Sequence, residues 1–303
     1  MIISGKELIR MTFKEAILSA PGKQSFHARW YQNRVSPGKR PYIAHSHPAI
    51  EFGYFKDCYG TFTLKDKQYS IEPGDIFIFR SNEQHHVTEI LGEKDIISMG
   101  FHFFPDFFWS HSNDAFDAKY VQIFSPKNKH FENRLERNST VTNQIRELLE
   151  KIHEEFETQS EDYGLMIKSY LIAILILVIR QNGLDASGEL ESNLNITSEN
   201  IRRIQRVMDY IDQHITDELT LKTLSSVANM STSYFSQLFK ELNGFSSWDY
   251  IISKRIDLAQ KLLLSGNDSI YSIALQSGFN NTTNFYKAFK KLTGVPPSTY
   301  RKN

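Results

Sequence analysis

The chain has 303 residues, with 35 basic and 35 acidic side chains and a single cysteine, Cys58. That length suggests two domains, and one cysteine excludes an intramolecular disulfide. No signal peptide, transmembrane segment, nucleophile motif, phosphate loop or zinc-finger spacing is seen, so the expectation is a cytoplasmic protein that is not an enzyme and has no membrane partner.

The first 125 residues read as β-rich. Phe26 to Val35, Phe52 to Phe55, Gly60 to Leu64, Gln68 to Ile71, Asp75 to Phe79 and Ile96 to Phe104 are short apolar or alternating runs. Turn signals such as Pro37-Gly38 and Pro73-Gly74-Asp75 part them. Many short strands predict a small β-barrel or jelly roll. His45 and His47, at i and i+2 on one strand, share a face. Glu51 and one of His85 or His86 add further polar groups. Imidazole and carboxylate suit zinc, iron or manganese, so metal binding, ligand contact and a structural role all stay open here. Trp30, Tyr42 and Tyr54 offer an aromatic wall. The Phe-rich run 101–109 reads as core packing or a docking surface ahead of ligand contact.

In the middle of the chain, Val141, Ile145, Leu148, Leu149, Ile152 and Phe156 have helical spacing. Leu165 to Arg180 predicts a second helix, apolar nearly all round from Leu171 to Ile179. That run of nine residues is too short to span a bilayer. The helix must then be buried, against the barrel or across a homodimer interface, with Leu171 and Leu175 as the positions to test. Gln181 to Ser198 is rich in Asn, Ser, Gly and acids and reads as a linker. The expected domains are 1–182, a linker over 183–198, and 199–303.

Ile201 to Ile215 opens the last domain, with Ile204, Val207, Met208 and Ile211 on one face. A repeat follows. Phe235, Phe239, Lys240, Leu242 and Gly244 recur fifty positions on as Phe285, Phe289, Lys290, Leu292 and Gly294. Phe at i and i+4 with Leu at i+7 makes one apolar stripe on a helix, which the Gly ends in a left-handed cap. Leu221, Leu224, Val227 and Ala228 form the helix before the first copy, and Ser231 is its partner's N-cap. Ile270, Ile273 and Ala274 form the helix before the second. Gly278-Phe279 is the turn there, one residue longer than in the first unit, and Asn280 or Asn281 is the cap. Ser247 to Leu264 reads as one helix joining the units, with Trp248, Ile252, Ile256, Ala259 and Leu263 as its buried side. Two helix-turn-helix units each offer a second helix to a DNA major groove. From residue 220 on there are ten Lys/Arg against four acids, a net +6 that the remaining 219 residues balance with −6. Double-stranded DNA is therefore the expected partner of this end.

The segments 255–263 (RIDLAQKLL), 269–279 (SIYSIALQSGF) and 285–301 (FYKAFKKLTGVPPSTYR) resemble the signature of AraC/XylS-type transcription regulators. One departure is Ser225, where that family usually has Ala. HSHPAIE (45–51) with Gly60 resembles the first cupin motif, and EPGDIFIF (72–79) with His85-His86 the second. The resemblance implies an α+β protein: an N-terminal cupin-like barrel with dimerisation helices, and an all-α C-terminal domain of two helix-turn-helix units. It also implies RNA polymerase as a partner. Family base-reading positions map onto Ser233, Ser236 and Gln237, and onto Thr282, Thr283 and Lys287. Gln can pair with adenine and Lys with guanine. Lys240 and Lys290 read as phosphate contacts or solvated side chains. In cupin enzymes the His and Glu positions bind metal, whereas in the regulators the barrel more often holds a small effector, commonly a carbohydrate. The expectation is a small-molecule effector, a sugar foremost, touching Trp30, Tyr42, His45, His47, Glu51, Tyr54 and His86, with no cofactor and no metal. The alternatives are a regulator answering to a metal or a partner protein and, more remotely, a cupin enzyme fused to a DNA-binding domain.

Overall fold

The computed structural model describes residues 11–18, 26–39, 46–104, 123–124, 128, 131–181, 197–293 and 295–301. Its strands are β1 (Met11–Leu18), β2 (Phe26–Val35), β3 (Gly38–Lys39), β4 (Ile50–Phe55), β5 (Tyr59–Leu64), β6 (Lys67–Ile71), β7 (Asp75–Phe79), β8 (His85–Leu91) and β9 (Ile96–Phe103). They pair antiparallel in two sheets, ordered β1-β2-β9-β4-β7 and β3-β8-β5-β6. The result is a double-sheet jelly roll rather than a barrel closed by hydrogen bonds. Strands β2 and β7 have the bounds expected from the sequence, whereas β1 and β8 were not anticipated.

Alternation along the strands gives the five-stranded sheet two different faces. The inner face meets the second sheet over Phe55, Cys58, Phe62, Leu64, Phe77 and Phe79. The outer face carries Trp30, Phe52 and Phe101 and is covered by α1 (Thr140–Thr158) and α2 (Tyr163–Gln181). Ser139 caps α1 by accepting from the Thr142 amide, and Gln159 in left-handed conformation ends it. Ile145, Leu149, Ile152 and Phe156 of α1 meet Ile167, Leu171, Ile174 and Leu175 of α2 in that core. Full burial of each such side chain stabilises by about 1.5–3 kcal/mol.

Leu171 and Leu175, the residues singled out for a dimer contact, are therefore core of their own chain, at 0% and 1% exposure. The outward stripe of α2 is instead Leu165, Ser169 and Ile172, with Met166 beside it. At 19 residues and a mean hydropathy of 1.9, α2 is long and apolar enough to cross a membrane by length and composition. The apolar run alone understated its length. One side of it nonetheless packs on α1.

The C-terminal domain runs α3 (Ser198–Gln213), α4 (Leu221–Val227), α5 (Thr232–Asn243), α6 (Ser247–Ser265), α7 (Ile270–Gln276), α8 (Thr282–Thr293) and α9 (Pro297–Tyr300). Ser231 caps α5, accepting from the Tyr234 amide, and Gly244 ends it at φ +75°. Asn281 Oδ1 accepts from the Asn284 amide at the start of α8. Gly294 lies outside the described residues. The connection between α7 and α8 is one residue longer than that between α4 and α5, as the repeat predicts. Gly278 holds φ +86°, and a Cβ there would stand 2.7 Å from the Ile215 carbonyl oxygen. Ser225 is buried and donates its hydroxyl to the Lys222 carbonyl, so the departure from Ala leaves no unmet polar group.

One expectation for α6 fails. Ile256, Ala259 and Leu263 are buried, but Trp248 is 55% exposed. Periodicity sets the angle of a side chain around the helix. It does not say whether any element lies over the first turn, where Trp248 sits. The middle of α6 is buried on a further side as well, because it docks on the jelly roll. Arg29 of β2 pairs with Asp257 of α6, with both side chains largely buried. Phe104 meets Tyr250 edge-on at 6.2 Å, and Lys254 Nζ lies 5.8 Å from the Phe104 ring centre.

Candidate functional site

On the inner face of the five-stranded sheet a single row crosses three strands. Register places Glu51 of β4 opposite His102 of β9, and His102 opposite Arg29 of β2. Three imidazoles converge on one carboxylate oxygen, Glu51 Oε2. His47 Nε2 and His102 Nε2 each lie 3.0 Å from it, and His85 Nε2 lies 3.2 Å away. His47 comes from the chain just before β4, and His85 opens β8 on the facing sheet. The His85 ring stacks on Phe79 at 4.2 Å, and the His102 ring packs against Tyr31 at 4.3 Å and His47 at 4.4 Å. Gly100 leaves room for the carboxylate, since a Cβ there would be 3.0 Å from Glu51 Oε1.

Burial and charge act together on this group. Burial lowers the pKa of His47 to about 4, and the neighbouring His102 adds to the effect. Burial lowers His102 too, against the pull of Glu51. For His85 burial is outweighed by the hydrogen bond and field of Glu51, which raise it. Burial opposes the Glu51 charge, but His102, His47 and His85 hold the carboxyl well below its usual range. The cluster is thus one carboxylate, one imidazole that favours its proton and two that resist theirs. His47, Glu51 and His85 each bring a ligand atom within 4.8 Å of the others, the spacing of a metal set.

The structure brings together only part of the expected effector site. His47 and Glu51 meet as read. His86 faces away: it is His85 that points inward, because alternation sends the two neighbours of β8 to opposite faces. Trp30 and Tyr54 lie on the outer face of the sheet. Trp30 stacks on His153 of α1 at 5.1 Å, and the Tyr54 hydroxyl donates to Glu150 Oε1 at 3.0 Å. Each is one residue out of phase with the row that carries Glu51. Tyr42 and His45 lie outside the described residues. The Asp75 of the second motif is structural, held by Arg137 Nε and Nη2 at 2.7 Å each. Burial pushes the Cys58 thiol up to about 12, which keeps it unreactive near neutral pH.

At the other end, Phe235 and Phe239, and likewise Phe285 and Phe289, are fully buried. Ser233, Gln237 and Lys240 of α5, and Thr283, Lys287 and Lys290 of α8, are exposed, while Ser236 and Thr282 are half-buried. Ser236 spends its hydroxyl hydrogen on the Thr232 carbonyl. At about 1.5 Å per residue, the 19-residue α6 between the two units spans about 28 Å, near one turn of B-DNA.

Residues 38–175 match the AraC-like ligand binding domain, and residues 224–303 match a helix-turn-helix domain. The chain belongs to the AraC family. It is 33% identical over 103 residues to the probable transcriptional regulator LumQ of Photobacterium leiognathi, a match covering 33% of this chain and 42% of that protein. It is 35% identical over 99 residues to the regulatory protein PocR of Salmonella typhimurium, covering 33% of each. These matches span under half the length of the curated relatives. Apo ToxT of Vibrio cholerae shares the fold across 90% of this chain and 96% of its own, with a TM-score of 0.56 at 15% identity.

Two residues of the Glu51 row escaped the sequence. His102 sits in the Phe-rich run, read as core or docking surface, and nothing local marks it. Arg29 lies in a strand that was recognised, but only strand order shows that it neighbours His102 and reaches Asp257.

Proposed function

We propose that this AraC-type chain is a sequence-specific transcription regulator that reads DNA through α5 and α8 and senses an effector inside its jelly roll. The observation that carries the reading is the division of each repeat helix. Its Phe pair is buried while Gln237 and Lys240, or Lys287 and Lys290, stay in solvent. Gln237 and Lys287 read bases, Ser233, Ser236, Thr282 and Thr283 add short hydroxyl contacts, and Lys240 and Lys290 meet phosphate. Footprinting should show two contact regions about 10 bp apart. Gln237→Ala and Lys287→Ala should each cost about 1–3 kcal/mol of specific binding and relax preference at different bases. Equal weakening on every sequence would make that residue a phosphate contact.

The sensor reading rests on the Glu51 row. Buried polar groups that converge in an apolar interior call for a polar partner. A stacked sugar loses support, because Trp30 and Tyr54 face α1; Tyr31 is the aromatic beside the row. The row runs through Arg29 to Asp257 on the helix that joins both DNA-reading units, so it offers a route from sensor to DNA. A ligand shifts that contact only as far as it binds the two arrangements differently. The exposed stripe of α2 supports a homodimer, and RNA polymerase is the partner of a regulator that activates. Ile172→Asp should convert a dimer to a folded monomer in sedimentation; a wild-type chain that is monomeric at micromolar concentration would remove this part. The protein acts by binding, not turnover, in the cytoplasm, with 1–182 as sensor, 183–198 as linker and 199–303 as DNA reader.

A further inference from the structure

The two DNA-reading helices differ in charge. Over Thr232–Asn243, α5 carries Lys240 and Glu241, which cancel. Over Thr282–Thr293, α8 carries Lys287, Lys290 and Lys291 and no acid, a net +3. A duplex is held first through its phosphates, whose condensed counterions Lys and Arg release, while base contacts add the choice of sequence. A neutral reading helix has the second capacity and little of the first. For both units to grip DNA, the first must draw its positive charge from a neighbouring element.

That element is α3. Its first two turns lie along the end of α5 that a helix-turn-helix unit turns toward base edges. Asn200 Nδ2 donates at 3.0 Å to the hydroxyl of Tyr234, in the first turn of α5. Arg203 Nη1 donates at 3.3 Å to the carbonyl of Asn229, in the turn between α4 and α5. Arg202, Arg203 and Arg206 all fall in this stretch. Arg203 is half-buried against the turn, whereas Arg202 and Arg206, one helical turn apart, share the exposed side. The acid beside them is Glu199, 3.0 Å from Arg203 Nε. Arg203 holds that carboxyl below its usual range, and Arg206 and Arg202 add to the pull, so one carboxylate lies in the field of three guanidiniums. Asp212, nearer the other end of α3, is turned to α6, where it accepts from Tyr250 and Lys254. The positive end of α3 is thus the end beside the first reading helix.

We propose that Arg202 and Arg206 hold the DNA backbone beside the first helix-turn-helix unit, so that α5 reads bases while α3 supplies the charge. The second unit needs no such helper, since α8 carries both functions. This contact rests on the DNA reading of α5 and α8 and extends it to a helix outside both repeats.

The test uses the full chain and two duplexes, one enriched by the wild-type chain from a random pool and one of arbitrary sequence. Binding is followed from about 50 to 200 mM salt. Arg202→Gln and Arg206→Gln should each weaken both duplexes by a similar factor and flatten the slope of log K against log salt by about 0.9. The sequence each variant selects from the pool should stay that of the wild type. Lys67→Gln removes the same charge from β6 of the jelly roll and should leave the slope unchanged. Arg206→Lys should keep the slope, because it keeps the charge. A wild-type slope in the double variant, Arg202→Gln with Arg206→Gln, overturns the contact. So does a loss confined to the enriched duplex, which would mark a base contact. An Arg206→Lys slope as flat as that of Arg206→Gln also overturns it, since charge is then not what the residue gives. The two readings part at enrichment. A wild-type chain that enriches no sequence removes the DNA reading and this contact with it. Enrichment that depends on Gln237 and Lys287 but not on Arg202 or Arg206 removes the contact alone.

Discussion

The first helix-turn-helix unit and the second are copies in sequence but not in setting. In the first, Phe235, Leu238 and Phe239 join the large core that continues through Tyr250 and Phe104 into the jelly roll and its helices. In the second, Phe285 and Phe289 belong to a separate cluster with Ile256, Ala259, Leu263, Ile273 and Phe279. The same local pattern thus gives one unit continuous with the jelly-roll core and one built on a core of its own. The jelly roll meets the second unit at α6, the helix that carries Asp257, and at Tyr300 of α9, which is close enough to Arg29 and Tyr31 to feel their charges and packs edge-on against Phe289 at 5.4 Å.

The largest effect should come from the buried Phe pairs. Phe239→Ala and Phe289→Ala each remove a fully buried ring, at a cost of about 3–5 kcal/mol. Hydrogen exchange should show loss of protection in the jelly roll only for Phe239→Ala. Equal spread of the two effects would break the contrast between the units.

Next in size is the contact between domains. Arg29→Ala leaves the Asp257 carboxylate buried without its partner, which should cost about 3 kcal/mol in urea unfolding. Replacing both, as Arg29→Met with Asp257→Leu, should recover most of that loss. If the single and double variants are equally unstable, the ion pair is not what seats α6 on β2.

The smallest effect is the pH dependence of stability. Unfolded His47 takes up a proton near pH 6.5, whereas folded His47 resists it until about 4, so acid favours the unfolded chain. His85 is raised, so its contribution is complete below pH 6.5 and is lost only on the alkaline side. Stability should therefore fall by about 2 kcal/mol between pH 6.5 and 5. The slope should shrink in His47→Gln. A flat profile in the wild type would show that the cluster is open to water.

Much of the C-terminal domain was legible because its contacts are local. The Phe pair is one helical turn apart, Ser231 bonds an amide three residues on, and Gly244 closes its own helix. Where that reading slipped, at Trp248, the missing fact was which neighbour covers a given turn. The sensor was legible only in part. In the doublet His85-His86, alternation dictates that one ring faces inward, but which one depends on the pairing of β8 with β5, and that register shifts at a bulge between Thr61 and Phe62. Trp30 and Tyr54 were aromatic residues on recognised strands, assigned to the wrong face by one step of the pleat.

The amino-acid sequence by itself determined the family, the two repeated DNA-reading units, the β-rich start and the pair His47 and Glu51, since motifs, caps and periodicities are written in neighbouring residues. Tertiary structure alone decided the rest. Antiparallel pairing of β4 with β9 and of β9 with β2 sets Glu51, His102 and Arg29 side by side, although the chain separates them widely. Packing of α2 on α1 chose which of its apolar faces stays exposed, and docking of α6 on β2 joined the jelly roll to the C-terminal domain. Strand register and the pairing of distant surfaces depend on the whole set of competing contacts, and no local stretch of sequence carries that information.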